Sequence, residues 1–411
     1  MRILVINQPL RNHGDEAAHR AFIHALHRAF PDGRIRILFV NEKKEDIEAF
    51  GIPEEAGHIC IDSSPDRLFY KVTAGAILRG IPSCRPLWSL SPACRSIMAE
   101  YRQADIIVCA PGGTCLGIQQ NWLHLILLNM AVSMKKKVAY WGRSIGPFPE
   151  DSESQKRFKA CAVKCLRGCG FVALRDRFSI ETAAEYGIQA VEITDSAFLE
   201  LPVSLDLPAE FSPLTGKDRY CVFVPNVLRS MAGFRELPAS RTCAFFKKVL
   251  DIILEVFDGR VVMLPQLFGQ GEWNDEPFFR QLADGNDRVT VIPDSCPSDI
   301  QQSIISGAAF LVGARYHSMV FAINTGTPFI AFSYEHKISG LLRILGLEDR
   351  MIDLQKGAFE SPSSEEAALE AFREKFGSIG TLSTVSREGA AALAGKGFRE
   401  LVNYIRETCR E

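Results

Sequence analysis

The stretch "AFLVGARYHSMVFAINTGTPFIAFSYEHK", residues 309–337, decides the fold. It holds two short, continuous apolar runs, 309–313 and 328–333, with a helix-patterned segment over 317–325 between them. Continuous short runs rich in β-branched and aromatic residues read as strands buried on both faces. A strand, a helix and a second strand in that order make a parallel crossover unit. Arg315, His317 and Lys337 stand where the apolar runs end. An unpaired charge is expensive to bury, so these three belong at the carboxyl ends of the strands and not in the core.

Working outward, the same alternation fills the chain. "RILVI", "RIRILFV", "ADIIVCA", "KKVAYWG" and "GFVALRD" are strand-like, and 119–134 and 153–168 are helix-like. Asp15 reads as the N-cap of a first helix that buries Ala18, Phe22, Ala25, Leu26 and Ala29. A proline-rich stretch, "LPVSLDLPAEFSPLTGKDR" at 201–219, interrupts the pattern. It then restarts with "YCVFVPN", "GRVVMLPQ" and "RVTVIPD", and with helices over 240–257, 298–307 and 337–346. A chain of 411 residues built this way predicts two α/β domains, 1–203 and 219–384, joined by a linker at 204–218. A last helical pattern over 385–411 has no strand to serve and is expected to pack back on the first domain.

Composition excludes several function classes. With 47 basic and 49 acidic residues, the net charge of -2 carries no footprint of a nucleic-acid binder. The N-terminal apolar run of about five residues is shorter than a signal-peptide core or a membrane span, so a cytoplasmic location is expected. The 12 cysteines lie in apolar runs and read as reduced core residues. Cys161, Cys165 and Cys169 share a helical stripe, but its outer members are about 12 Å apart, too far for one zinc ion, and the stripe reads as packing.

In open parallel sheets ligands bind beyond the carboxyl ends of strands, and two such domains define a cleft. The loops at those ends deliver "NQPLRNHGDEA" with Gly14 and Asp15, "PGGTCLG" with Gly112 and Gly113, "GRSIGPF" with Arg143, and "RDRFS" with Arg175 and Asp176. Later ends deliver Gln266, Asp294, Arg315 with His317, and Tyr334 with Lys337. Neither a P-loop nor a G-x-G-x-x-G fingerprint occurs. Taken singly, a strand-end arginine is usually a structural salt bridge, His13 reads as a solvated loop residue, and Asp176 reads as a helix cap. The convergence of Arg143, Arg175, Arg315 and Lys337 on equivalent ends points instead to an anionic substrate.

The order "NHGDEA", "ADIIVCAPGGTCL", "GRSIGPF", "ALRDRFSIETAAEYGI", "TDSAF" and "GARYHSMVFAINTGTPFIAFSYEHKISGLLRILGL" resembles the polysaccharide pyruvyl transferase family over about residues 1–350. The resemblance implies two Rossmann-like domains similar to double-Rossmann (GT-B-type) glycosyltransferases. It also implies transfer of a pyruvyl group from phosphoenolpyruvate to two hydroxyls of a sugar, giving a cyclic ketal. The family's Arg-x-His element falls on Arg315 and His317, its Arg-Asp segment on Arg175 and Asp176, and its Tyr-x-x-Lys element on Tyr334 and Lys337. The chain departs from the family pattern at Pro111, where a third glycine is usual, and at Arg143, where glutamine is common.

On this reading His317 is the general acid/base, helped by Asp15, and Arg315, Arg175, Lys337, Arg143 and Tyr334 hold phosphoenolpyruvate, with the second domain as the donor side. Gly14, Gly112, Gly113 and Asp176 face the acceptor, a sugar or a lipid-linked or polymeric glycan, on the first. Phosphoenolpyruvate is a substrate, and the scheme requires neither cofactor nor metal. The alternative of the same fold class is a nucleotide-sugar glycosyltransferase; a non-catalytic sugar-binding protein is the third reading. Residues 69–95 mix basic and aromatic side chains. They are expected to form a helix pair on the first domain, or to make peripheral contact with the inner face of a membrane.

Overall fold

A computed structural model of the chain describes all residues except 82–84, 203–206, 209–218, 229–233, 235, 270–273, 356, 380–385 and 410–411. Most of the expected linker at 204–218 therefore lies outside the described residues. The chain forms two compact units: Met1–Leu10, Ala18–Leu199 and Ala391–Glu411 make the first, and Arg11–Ala17 with Glu200–Ala390 make the second. The segment 11–17, read from sequence as part of the first domain, belongs by its contacts to the second unit.

In the first unit the strands are β1 (Arg2–Ile6), β2 (Arg34–Val40), β3 (Ala56–Ile61), β4 (Ile106–Cys109), β5 (Gly112–Gly117), β6 (Val138–Gly146), β7 (Phe171–Leu174) and β8 (Val191–Glu192). They pair in parallel in the order β3-β2-β1-β4-β6-β7-β8, with β5 beside β6. The helices are α1 (His13–Ala29, whose residues 13–17 belong to the second unit), α2 (Lys44–Phe50), α3 (Phe69–Val72), α4 (Ala74–Leu78), α5 (Arg85–Trp88), α6 (Pro92–Gln103), α7 (Trp122–Ser133), α8 (Glu153–Arg167) and α9 (Arg177–Glu185). The runs are apolar on both faces because a separate core covers each: Leu4 and Ile6 point into one, Ile3 and Val5 into the other. Cys161 and Cys165 lie in the first of these cores, where Cys165 Sγ is 3.7 Å from Asn129 Oδ1. Where a helix pair was expected over 69–95, the described part folds as three short helices leading into α6.

The second unit holds β9 (Tyr220–Val224), β10 (Arg260–Met263), β11 (Val289–Val291), β12 (Leu311–Gly313), β13 (Phe329–Ser333) and β14 (Met351–Asp353). They are parallel in the order β11-β10-β9-β12-β13-β14. Its helices are α10 (Ala239–Val256), α11 (Glu276–Ala283), α12 (Ser298–Ser306), α13 (Tyr316–Thr325), α14 (His336–Leu345) and α15 (Pro362–Gly377). Both sheets reverse direction of growth once, at β1/β4 and at β9/β12, and such switch points are where open parallel sheets bind ligands. The last helix, α16 (Glu388–Cys409), buries Leu401, Val402 and Ile405 in the first unit against Val5, Phe22 and Trp141.

Candidate active site

The second unit gathers a polar cluster at its switch point. β12 ends at Gly313, the Ala314 N–H donates to the carbonyl of Val224 at 2.7 Å, and Arg315 takes the extended backbone that starts α13. His317 is thereby fixed in the first turn of α13, beside the end of β9. Arg315 is buried and its Nη2 pairs with the carboxylate of Asp275. The other Asp275 oxygen accepts the N–H groups of Gln266 and Leu267, at 3.1 and 3.0 Å. One carboxylate therefore locks the arginine and the loop after β10 together.

The segment 11–17 completes this cluster. Asp15 was expected to cap α1, but the helix begins at His13, and Asn12 Oδ1 takes the capping bonds from the Gly14 and Asp15 N–H groups, at 2.8 and 3.3 Å. That leaves Asp15 Oδ1 free of hydrogen bonds among the described residues, 3.9 Å from His317 Nε2. Gly14 makes this approach possible. A Cβ there would stand 1.9 Å from His317 Cγ, so only glycine lets the imidazole lie against the helix.

His13 is not the solvated loop residue that the sequence suggested. It is 2% exposed, stacks on Phe268 at 4.3 Å, and sets Nδ1 2.7 Å from Glu16 and Nε2 2.6 Å from the Asp294 carbonyl. Both ring nitrogens face acceptors, so Nε2 donates to the carbonyl and a proton lies between Nδ1 and Glu16. Glu16 in turn accepts from Ser298 Oγ at 2.8 Å. This clamp fixes the first turn of α1 and hence Asp15. Nearby, Tyr334 is buried among Arg315, Asp275, Glu335 and Lys337, and burial pushes its phenol up. Lys337 Nζ lies 2.8 Å from Glu335. Gln266 Nε2 and Arg315 Nε are buried here with no hydrogen-bond partner among the described residues. Orphaned donors cost about 1–3 kcal/mol each, and a ligand acceptor would recover that.

The remaining candidates sit in the first unit, where the structure gives each charged one a partner of its own. Arg143 is fully buried: Nε donates to the carbonyl of Ala110 at 2.6 Å, Nη1 to that of Gly113 at 3.3 Å, and Nη2 to that of Asn7. It cross-links the loops after β1 and β4, and Gly112 is bare because a Cβ would meet Pro9 Cγ at 2.9 Å. Around Gly113 the side-chain direction is open to 4 Å. Arg175 forms a buried ion pair with Asp195 at 2.5 Å. Asp176 is the N-cap of α9, and Ser179 occupies its oxygens through N–H and hydroxyl, at 2.8 and 2.7 Å. These partners give Arg143, Arg175 and Asp176 structural roles inside the first unit. Asp275, Glu16 and Ser298 went unrecognised, since no local pattern marks a residue whose partner is 40 or 282 positions away. His13 and Gln266 were visible as strand-end residues only.

Two parallel sheets with the switch-point loops described define a double-Rossmann-like α/β protein of the GT-B type. The chain is similar to UDP-GlcNAc 2-epimerase from Methanocaldococcus jannaschii, with a TM-score of 0.60 at 11% identity, covering 98% of this chain and 100% of that one. The corresponding enzyme from Neisseria meningitidis gives 0.57 at 10% identity, over 99% and 100% of the two chains. The rhamnosyltransferase SpnG, complexed with spinosyn aglycone, gives 0.51 at 14%, over 98% and 97%. At such identities the likeness is one of fold. The family model for polysaccharide pyruvyl transferase matches residues 12–336, and the chain belongs to that family. It is 24% identical over 378 residues, 86% of this chain and 88% of the other, to the amylovoran biosynthesis protein AmsJ of Erwinia amylovora. The family makes it a transferase acting in polysaccharide biosynthesis.

Proposed function

We propose that the chain transfers the pyruvyl group of phosphoenolpyruvate to two hydroxyls of a glycan or glycan precursor, forming a cyclic ketal and releasing phosphate. The observation that carries this reading is the second unit's cluster, in which Asp15 faces His317 beside an arginine held by its own carboxylate. His317 delivers a proton to the vinyl carbon, which becomes a methyl group. One glycan hydroxyl adds to the adjacent carbon, the bond from that carbon to the phosphate oxygen breaks, and the second hydroxyl adds in its place. Of the two hydroxyl protons released, one restores His317 and the other leaves with phosphate. Asp15 accepts a hydroxyl proton or passes it to His317.

The donor carries about three negative charges, and buried cations held by fixed partners bind such a group without reorganising. Arg315, through the Nε edge that Asp275 does not use, Lys337 and Tyr334 form the donor subsite in this reading, and Gln266 adds an amide donor. Gly112 and Gly113 line the acceptor subsite on the first unit. Arg143 and Arg175 hold strand-end loops in shape. No metal or cofactor takes part in the proposed steps.

The test is incubation of the full chain with phosphoenolpyruvate and a panel of lipid-linked, nucleotide-linked and polymeric glycans. Phosphate release that depends on the acceptor, together with an acceptor product carrying a pyruvyl ketal by mass spectrometry, is expected. His317→Ala should lower turnover by about 10²–10⁴-fold, the usual contribution of a general acid/base. Thermal stabilisation by a nucleoside diphosphate but not by phosphoenolpyruvate, with no ketal formed, would sink the reading.

A further inference from the structure

Residues 67–99 contain Arg67, Lys71, Arg79, Arg85 and Arg95 and not one acidic residue, in a chain whose net charge is only -2. The same stretch exposes Leu68, Tyr70, Leu78, Ile81 and Leu90, each between 40 and 56% accessible. Outside it, only Leu201 and Val256 of the described large hydrophobics are as exposed. Loose packing does not explain this. The opposite side of these short helices is anchored through Phe69, Val72, Ile77 and Trp88 in the core of the first unit. α3 packs on α4, α5 and α6, so the exposed side chains lie on or beside neighbouring short helices.

The cations are not spent on carboxylates. Arg79 donates to the carbonyl of Gly75 at 3.0 Å, Arg85 to that of Ser133 and Arg95 to that of Ser89 at 2.8 Å, and the described residues offer these three no ion pair. Carbonyl anchors fix the guanidinium groups and leave their charge uncompensated. The carboxylate of Asp66 borders the patch and accepts from Leu68 N–H, Ala93 N–H and Ser91 Oγ. Exposed apolar side chains interspersed with five basic ones match the boundary between lipid headgroups and acyl chains. A protein interface, by contrast, is depleted of lysine at its centre and balances its charges across the contact.

We propose that α3, α4, α5 and the start of α6 form a peripheral docking surface for an anionic lipid bilayer. Leu68, Tyr70, Leu78, Ile81 and Leu90 enter the headgroup layer, and the five basic residues lie at the level of the lipid phosphates. No described helix is long and apolar enough to cross a membrane, so the contact is with one leaflet. It does not depend on the donor chemistry proposed above.

Flotation of the full-length protein with vesicles tests this. The expected result is binding to vesicles of phosphatidylcholine with phosphatidylglycerol, weak binding to phosphatidylcholine alone, and release at high salt. At about a factor of five per basic residue, Lys71→Glu with Arg79→Glu should weaken partitioning at least about thirtyfold. Leu78→Ser with Leu90→Ser should weaken it while leaving the salt dependence in place. All four positions are exposed, and an unchanged melting curve confirms folding. Wild-type protein that fails to float with anionic vesicles at low salt overturns the proposal, as does equal binding to neutral vesicles. So does a patch whose substitutions change the mass in light scattering but not lipid binding, which would identify a second copy of the chain as its partner.

Discussion

Asp15, Gly14 and His317 show how much of the site depends on a missing side chain. The imidazole of His317 occupies the space where any other residue at position 14 would put its Cβ. Gly14→Ala must therefore push the ring off its position or unwind the first turn of α1. We expect turnover to fall by about 10²-fold, the scale attached to a misplacement of about 1 Å, with a melting temperature near that of the parent. Retention of full turnover by Gly14→Ala would show that the ring position does not matter. The sequence placed Arg315, His317, Tyr334 and Lys337 correctly at strand ends, since burial cost alone dictates that. It could not show that Arg143 ends on backbone carbonyls or that Arg175 ends on Asp195, because partners are a property of the folded chain.

At the scale of elements, continuous apolar runs were legible as strands, down to the three residues of β11 and β12, and the glycine-rich or half-exposed β5 and β3 were not. β5 is "GGTCLG", with no strand composition, and exists because it extends along the far end of β6. β3 escaped for another reason: as an edge strand it is half exposed and carries a mixed pattern. Inside α1, His19 is fully buried with neither ring nitrogen hydrogen-bonded among the described residues. Burial, and then the nearby His24, holds its imidazole down at about 3 against an ordinary 6.5. The unfolded chain takes up this proton near pH 6.5 and the folded chain does not until about 3. Stability from the neutral ring is thus present above about pH 6.5 and is lost as the pH falls towards 3, at up to about 1.4 kcal/mol per pH unit. Urea unfolding across that range should show a shallower acid decline for His19→Leu. An identical slope in both proteins would refute the assignment.

For the whole molecule, the division into two α/β units was readable because the strand pattern stops at 201–219 and restarts. What the pattern could not reveal is that residues 11–17 join the second unit, since their partners Gln266, Asp294, Ser298 and His317 lie at least 250 positions later. The first unit is discontinuous as well, because α16 supplies Leu401 and Ile405 to its core, both fully buried. Leu401→Ala should cost about 2–5 kcal/mol, the range for a leucine truncated in a closed core. Calorimetry should register that loss in the transition of the first unit, and a change confined to the second unit's transition would contradict the assignment. Discontinuity also constrains how the protein is made. Domains ordinarily fold from the N-terminus while synthesis continues. Here α1 can cover part of one face of the first sheet early, but the part that Leu401, Val402 and Ile405 seal stays open until α16 has been synthesised.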